Sequence, residues 1–194
     1  EDVPNGSGLR IIDRLTDFQR FLAAPPQTPR SGMAGEAIFT AVGCADCHTP
    51  GYTTRNDPAL ETAIRNKAIK PYSDFLLHDM GLAADFIGDG TADVQEVKTP
   101  PLWGVRTRDP MWHDGRVLGG SLQQRITGPG GVVAQHAVFG SEARPSALAF
   151  QALSATDQNK VVAFLDSLGR AEFDSNGDGV RDQIDLAAFR LARN

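Results

Sequence analysis

The chain contains two cysteines, Cys44 and Cys47, and a histidine, His48, directly follows the second one. A Cys-x-x-Cys pair has two common uses, a thioredoxin-like redox pair or a metal or cofactor site. No β-branched strand followed by a crossover helix surrounds the pair, and the adjacent histidine favours a cofactor site. Cys-x-x-Cys-His is the attachment motif of c-type haem, in which two thioethers hold the macrocycle and the imidazole binds the iron. The motif predicts one covalent haem, with a redox or structural cysteine pair as the alternative.

Two helices are predicted to position this motif. Residues 33–42 place small and apolar side chains on one helical stripe, and Gly43 ends the stripe immediately before the first cysteine. Near the other end, Ser154 and Asp157 form a capping-box pattern ahead of an apolar stripe at residues 161–168. We expect this closing helix to pack on the first helix and to build the haem pocket with it.

Length and composition fit one globular domain with a small appendage. The chain has 194 residues, 41% of them hydrophobic, and a net charge of −5. An acidic chain without a stripe dense in lysine and arginine is not expected to bind nucleic acid. Because no apolar run reaches the length of a membrane span and the first residues lack a signal-peptide pattern, we expect a soluble chain shown in its mature or excised form.

The sequence resembles the C-terminal haem domain of the bacterial di-haem oxidoreductases related to cytochrome c peroxidase and the MauG enzyme. It is most similar to their thiol-oxidoreductase-like sub-group. The matching segments, in the family's order, are residues 16–26, 35–50, 72–81, 98–105, 113–116 and 164–168. The resemblance implies a haem-binding redox domain. The chain departs from the family in carrying one Cys-x-x-Cys-His motif where those enzymes carry two, so it resembles half of such an enzyme.

The sixth ligand of the iron is left open by the sequence. The candidates are His78, His113, His136, Met33, Met80 and Met111. The resemblance favours His136, because in that sub-group a histidine occurs between the His-Asp-Gly element and the last helix. Met80 is the second candidate, because small cytochromes use a methionine on a loop as the iron ligand. An open or otherwise liganded iron is the third alternative. Two histidine ligands would give a lower reduction potential than histidine with methionine.

Polar residues near the two tryptophans are expected to support the cofactor. The guanidinium group of arginine pairs with carboxylates, and haem carries two propionate carboxylates whose charges need neutralising. Among Arg106, Arg108 and Arg116 we predict Arg106 for this role, against the alternative of a solvated surface arginine. His78, in a Leu-Leu-His-Asp segment, is interpreted as a hydrogen-bonded structural residue.

An acidic segment near the C-terminus matches the calcium loop of an EF-hand. Carboxylate or amide side chains occupy the ligand positions, Gly179 allows the loop to turn, and one backbone carbonyl completes the set. The predicted ligands are Asp174, Asn176, Asp178, Val180, Asp182 and Asp185. The last position holds aspartate instead of the usual bidentate glutamate, as in dockerin loops. A solvated acidic turn is the alternative, because a single loop is visible.

Together these features predict an all-α, class I cytochrome c-like domain with long loops over residues 1–170 and an EF-hand-like calcium-binding element over 171–194. The predicted cofactors are one covalent haem c and calcium. The predicted function is transfer of single electrons to or from a redox partner, as part of a larger periplasmic or secreted protein. A peroxidase-like half-site with an open haem face and a haem- and calcium-stabilised binding module are the alternatives.

Overall fold

The computed structural model describes residues 4, 6, 8–22, 24, 34–88, 90 and 92–168. The predicted calcium ligands Asp174 to Asp185, and with them the whole element at 171–194, lie outside the described residues, as do Met33 and Gly169. The α-helices are α1 (Ile11–Phe21), α2 (Ala34–Ala41), α3 (Leu122–Thr127), α4 (Val132–His136), α5 (Arg144–Gln151) and α6 (Ala155–Ser167). Single-turn 3-10 helices span Cys44–Asp46, Gly81–Ala83 and Val105–Thr107. No helix in the described part of the chain is long and apolar enough to cross a membrane.

The chain forms two compact units, of which the first combines Glu1–Ala24 with Gly51–Pro71. This unit contains α1 and two short strands, β1 (Tyr52–Thr53) and β2 (Ala68–Ile69), which pair antiparallel. The Arg20 guanidinium at the end of α1 lies 2.8 Å from the Glu61 carboxylate, so an exposed ion pair links the helix to the loop between the strands.

The second unit combines Pro25–Pro50 with Tyr72–Asn194. Its centre is the packing of α2 against α6. Gly35 makes this crossing close, because a Cβ added there would lie 2.0 Å from the Lys160 carbonyl oxygen. Beside the glycine, the Phe39 and Phe164 rings lie 5.5 Å apart between centroids and fill the space between the helices. The predicted packing of the closing helix on the first is therefore confirmed.

The predicted ends of these two helices are also confirmed. Gly43 follows α2 in the left-handed region at φ 86°, which glycine adopts without strain. The Ser154 hydroxyl caps α6 by accepting the backbone N–H of Asp157 at 3.2 Å, and it donates to the Asp157 carboxylate at 3.0 Å. Local sequence signals therefore set both helix boundaries next to the predicted pocket.

The predicted all-α class is wrong, because two small antiparallel sheets accompany the helices. Besides the β1–β2 pair, β3 (Leu77–Asp79) pairs with β4 (Glu96–Lys98), with His78 opposite Val97. The physical reason is that the long loops after the haem motif bring backbone N–H and C=O groups into partly buried positions, where they need partners. Two or three residues suffice for such a ladder and are too few to show the alternating pattern of a longer strand.

Candidate haem site

A tight turn after α2 places the cysteine motif on the wall of a cavity in the second unit. The 3-10 helix Cys44–Asp46 begins directly after Gly43, and the backbone N–H groups of Cys47 and His48 both return to the Cys44 carbonyl. The turn brings both thiols and the His48 ring to the same cavity. A residue with a side chain at 43 would be strained and would contact the Ser146 hydroxyl at 2.7 Å.

Both cysteines are partly buried free thiols. Burial raises the pKa of Cys44 to about 11. Burial also raises the pKa of Cys47, and the nearby carboxylates of Asp74 and Glu142 raise it further. Redox-active Cys-x-x-Cys pairs rely on a lowered thiol pKa. The raised pKa values therefore speak against a thioredoxin-like redox pair.

The cavity has a volume of about 430 Å³, within the usual range of roughly 300–1,000 Å³ for cofactor sites. Its wall is built mainly from apolar side chains of the central helices and loops. These include Phe39, Leu102, Val105, Ile126, Val161 and Leu165. Such a wall excludes water from a flat apolar ligand and leaves the few polar groups on it to set the chemistry.

Two partly buried imidazoles, His48 and His136, lie close together on the wall of this cavity. The ring centroids of His48 and His136 are 6.5 Å apart, with 54° between the ring planes. Nδ1–H of His48 donates to the Tyr72 carbonyl at 2.9 Å, and Nδ1–H of His136 donates to the Val132 carbonyl at 2.8 Å. With each Nδ1 used in this way, Nε2 is the nitrogen of each ring that is left for a metal.

Burial keeps both imidazoles neutral, as a metal ligand must be. It lowers the pKa of His48 to about 4, in spite of the hydrogen bond to Tyr72, and it lowers the pKa of His136 as well. Two metal–nitrogen bonds of about 2 Å each, plus on the order of 1 Å from each nitrogen to its ring centroid, total roughly 6 Å. The observed separation of 6.5 Å therefore fits one metal ion held between the two rings.

A family model described as "di-haem oxidoreductase, putative peroxidase" matches residues 15–168. The chain belongs to this family. No curated protein and no solved structure matches the chain. Membership implies a haem cofactor and a redox role, and the apolar cavity with its two neutral imidazoles fits that cofactor. The haem domain carries one Cys-x-x-Cys-His motif, at Cys44, Cys47 and His48.

Met80, the other predicted sixth ligand, also lies on the wall of the haem-site cavity. It is buried, and its sulfur accepts the Ser141 hydroxyl at 4.0 Å. Met111 is a second buried methionine on the same wall. The structure thus brings His48, His136 and Met80 to one cavity. The two imidazole rings lie 6.5 Å apart between centroids.

His78 of the haem domain lies between two carboxylates, as expected for a hydrogen-bonded structural histidine. Its Nε2 lies 2.8 Å from the Asp74 carboxylate, and its Nδ1 lies 2.8 Å from the Glu142 carboxylate. Burial alone would lower the pKa of His78, but the hydrogen bonds to Glu142 and Asp74 raise it overall. The same Nδ1 is 3.6 Å from the sulfur of Cys47, so His78 adjoins the cysteine motif.

The His-Asp-Gly element at 113–115 contributes to the cavity wall through His113. His113 lies on the cavity wall, and its Nε2–H donates to the Ala83 carbonyl at 2.8 Å. Trp112 donates its indole N–H to the same carbonyl at 2.9 Å and lies with its ring against His136. Sequence reasoning did not find this contact, because residues 112 and 136 are joined by no local spacing rule.

The arginine predicted for the haem propionates, Arg106, is not among the residues that line the cavity. Its backbone carbonyl accepts a hydrogen bond from Arg125 at 3.1 Å. Arg108, two residues further along, does line the cavity. Both follow the same glycine turn in the sequence, so composition and spacing could not separate them, and the backbone path through the 3-10 helix Val105–Thr107 decides which one reaches the wall.

Proposed function

We propose that this di-haem oxidoreductase domain is a c-type cytochrome domain that carries one covalent haem and transfers single electrons to or from a redox partner. The observation that supports it best is the pair His48 and His136, two neutral imidazoles with 6.5 Å between ring centroids. An iron that received both imidazoles would keep no free position for a substrate, which suits electron transfer.

Each residue of the cavity then has a defined task. The thiols of Cys44 and Cys47 would hold the haem through thioether bonds, each thiol adding its sulfur and its hydrogen to the two carbons of one vinyl group. His48 and His136 would hold the iron through Nε2, the nitrogen of each ring that is left for a metal. Hydrogen bonds from Nδ1 to the carbonyls of Tyr72 and Val132 fix both rings and increase their basicity.

When bound, the haem would supply an iron that gains or loses one electron. The residues around it would keep the reorganisation energy of that change low. Apolar side chains on the wall exclude water, so little solvent has to reorganise when an electron moves. Because covalent haem attachment takes place outside the cytoplasm, the proposal includes a periplasmic or secreted location. The redox partner is a protein or domain, within the larger extracytoplasmic protein or separate from it.

The ligand set is tested with the ferric spectra of holoprotein variants. We expect a low-spin spectrum for the wild type, and conversion toward high spin in His136→Ala. Met80→Leu and Met111→Leu change two methionines of the same cavity wall, and both are expected to remain low spin. A high-spin Met80→Leu protein beside a low-spin His136→Ala protein would reverse the ligand assignment. Alkylated rather than haem-linked cysteines in a denatured, reduced sample would contradict covalent attachment.

A peroxidase-like reaction is the second candidate, and the description of the family supports it. It requires an iron face that a small molecule can reach. Electron transfer predicts a spectrum that is indifferent to cyanide and to hydrogen peroxide. A prompt spectral change on adding either compound to the wild-type protein would favour the peroxidase-like function instead.

A further inference from the structure

Arg108 is a cation of the cavity wall that has no carboxylate partner among the described residues. Its Nη2 donates to the carbonyls of Pro101 at 2.6 Å and Trp103 at 3.1 Å, and these two bonds hold the guanidinium in place. Burial lowers the pKa of Arg108, and no neighbouring charge opposes that effect. By comparison, Arg116 pairs with Asp114 and Arg125 with Asp109.

The acidic residues of the cavity wall, Asp46 and Glu142, form no ion pair with Arg108 in the described part of the chain. Their negative charges, together with the charge of Asp74, raise the pKa of Cys47, so they lie near the cysteine motif. That end of the cavity therefore disfavours a further carboxylate. The other cation on the wall, Lys98, has its ammonium 5.9 Å from the ring centroid of Phe75.

A partly buried guanidinium without a counter-charge is costly, and the cost falls when an anion pairs with it. With Nη2 engaged by two backbone carbonyls, Nη1 and Nε have no hydrogen-bond partner among the described residues. Nε–H and the free N–H of Nη1 point to opposite sides of the guanidinium, and each can donate one charge-assisted hydrogen bond to a carboxylate oxygen. The wall thus offers a prepared site for one carboxylate of a ligand in the cavity.

We propose that Arg108 binds a propionate carboxylate of the haem in this cavity. The proposal rests on the proposed function, because it needs haem in the cavity, and it replaces the sequence-based choice of Arg106. Cys44 and Cys47 would hold the vinyl groups of the haem, and Arg108, on the wall of the same cavity, would hold a propionate. The pair neutralises one propionate and places a positive charge near the iron.

The test compares the midpoint potentials of Arg108→Gln and Arg106→Gln holoproteins in redox titrations at several pH values. Glutamine at 108 keeps an N–H donor for the backbone carbonyls and removes the charge. We expect Arg108→Gln to shift the midpoint potential in the negative direction, because a cation near the iron favours the ferrous state. Arg106→Gln, a change two residues away and off the cavity wall, is expected to match the wild type.

The pH dependence gives a readout that loss of structure does not produce. Without Arg108 the pKa of the propionate rises, and ferric iron lowers it more than ferrous iron does. The midpoint potential of Arg108→Gln should therefore fall with rising pH in the range of about pH 5 to about pH 7, where the wild type stays flat. Arg108→Lys keeps the positive charge and is expected to have a midpoint potential close to that of the wild type.

Several results would overturn the inference. It fails if Arg108→Gln carries haem with the potential and pH profile of the wild type, or if Arg106→Gln gives the shift. Should Arg108→Gln not load haem, the propionate bending band in the resonance Raman spectrum of Arg108→Lys decides, since an unchanged band excludes the contact. A wild-type protein without haem would instead defeat the proposed function, and the inference with it.

Discussion

The indole ring of Trp112 stands nearly perpendicular to the imidazole ring of His136, with 4.9 Å between centroids and 83° between ring planes. Trp112 has a φ of 74°, a left-handed conformation that is uncommon for residues with a side chain. Two hydrogen bonds hold this turn in place, from the Trp112 indole and from His113 to the carbonyl of Ala83. His136 is thus held from two directions, by the Val132 carbonyl on Nδ1 and by the Trp112 ring on its side.

Replacing Trp112 is expected to loosen the His136 ring. Trp112→Phe keeps an aromatic ring but loses the hydrogen bond to Ala83, which should lower the free energy of unfolding by about 1 kcal/mol. Trp112→Leu also loses the edge-to-face contact, which costs on the order of a further 1 kcal/mol. Urea unfolding measures the stability, and the electron paramagnetic resonance of the ferric protein reports the ligand planes. If Trp112→Leu keeps wild-type g-values, Trp112 does not orient the ligand.

The close crossing of α2 and α6 makes Gly35 intolerant of a side chain. A Cβ there would lie 2.0 Å from the Lys160 carbonyl oxygen, and backbone cannot move aside as a flexible side chain can. Gly35→Ala should therefore lower the free energy of unfolding by roughly 2 kcal/mol. Gly88→Ala is the matched control, because its added Cβ would meet Val94 at an ordinary 3.6 Å. Equal urea midpoints for the two variants would contradict the close packing.

Local signals in the sequence were enough to predict the frame of the site. The left-handed Gly43 and the Ser154 cap depend on residues within one turn of each other, so type and spacing alone place the ends of α2 and α6. The packing of these helices also followed, because each carries one apolar stripe. The sequence therefore indicated where the cysteine motif would be presented.

Contacts between distant residues could not be predicted in this way. The β3–β4 ladder pairs Leu77 with Lys98 through backbone groups that carry no side-chain signal. Arg108 reaches the cavity wall and Arg106 does not, although both follow the same turn, because the path of the backbone decides it. Glu142 likewise meets His78 only in three dimensions.

The pairing of His78 with Asp74 and Glu142 predicts a pH dependence of stability. The pKa of His78 is raised above its ordinary value of 6.5 in the folded protein. The protonated His78 therefore stabilises the folded protein fully below pH 6.5. This stabilisation is lost as the pH rises through the raised pKa. We expect wild type to exceed His78→Gln in stability by the largest margin at mildly acidic pH and by a shrinking margin at alkaline pH. Urea unfolding across pH measures this margin, and a constant margin would refute the role of the charge.

The effect of Asp74 on stability has the opposite sign and falls in a different pH range. The pKa of Asp74 is lowered in spite of its desolvation, because the Leu76 N–H and the His78 side chain bond to its carboxylate. The ionised Asp74 carboxylate therefore stabilises the folded protein above pH 3.8, its ordinary pKa. This stabilisation is lost as the pH falls through the lowered pKa. Asp74→Asn should therefore be less stable than the wild type at neutral and mildly acidic pH. The two proteins should become equally stable only in strong acid. The two windows together separate His78 from Asp74 as the source of a pH effect.

The calcium loop at 174–185 stays a prediction from the sequence, and its last ligand position offers a sharp test. Asp185 has a shorter side chain than the glutamate usual there, so it reaches the ion less well. Asp185→Glu should tighten calcium binding and Asp178→Ala should abolish it, as measured by titration calorimetry on the holoprotein. Because the ion neutralises carboxylates of the loop and lies apart from the haem motif in sequence, chelation should lower the unfolding temperature and leave the haem spectrum unchanged. Heat-neutral calcium titrations of the wild type would leave only a solvated acidic turn.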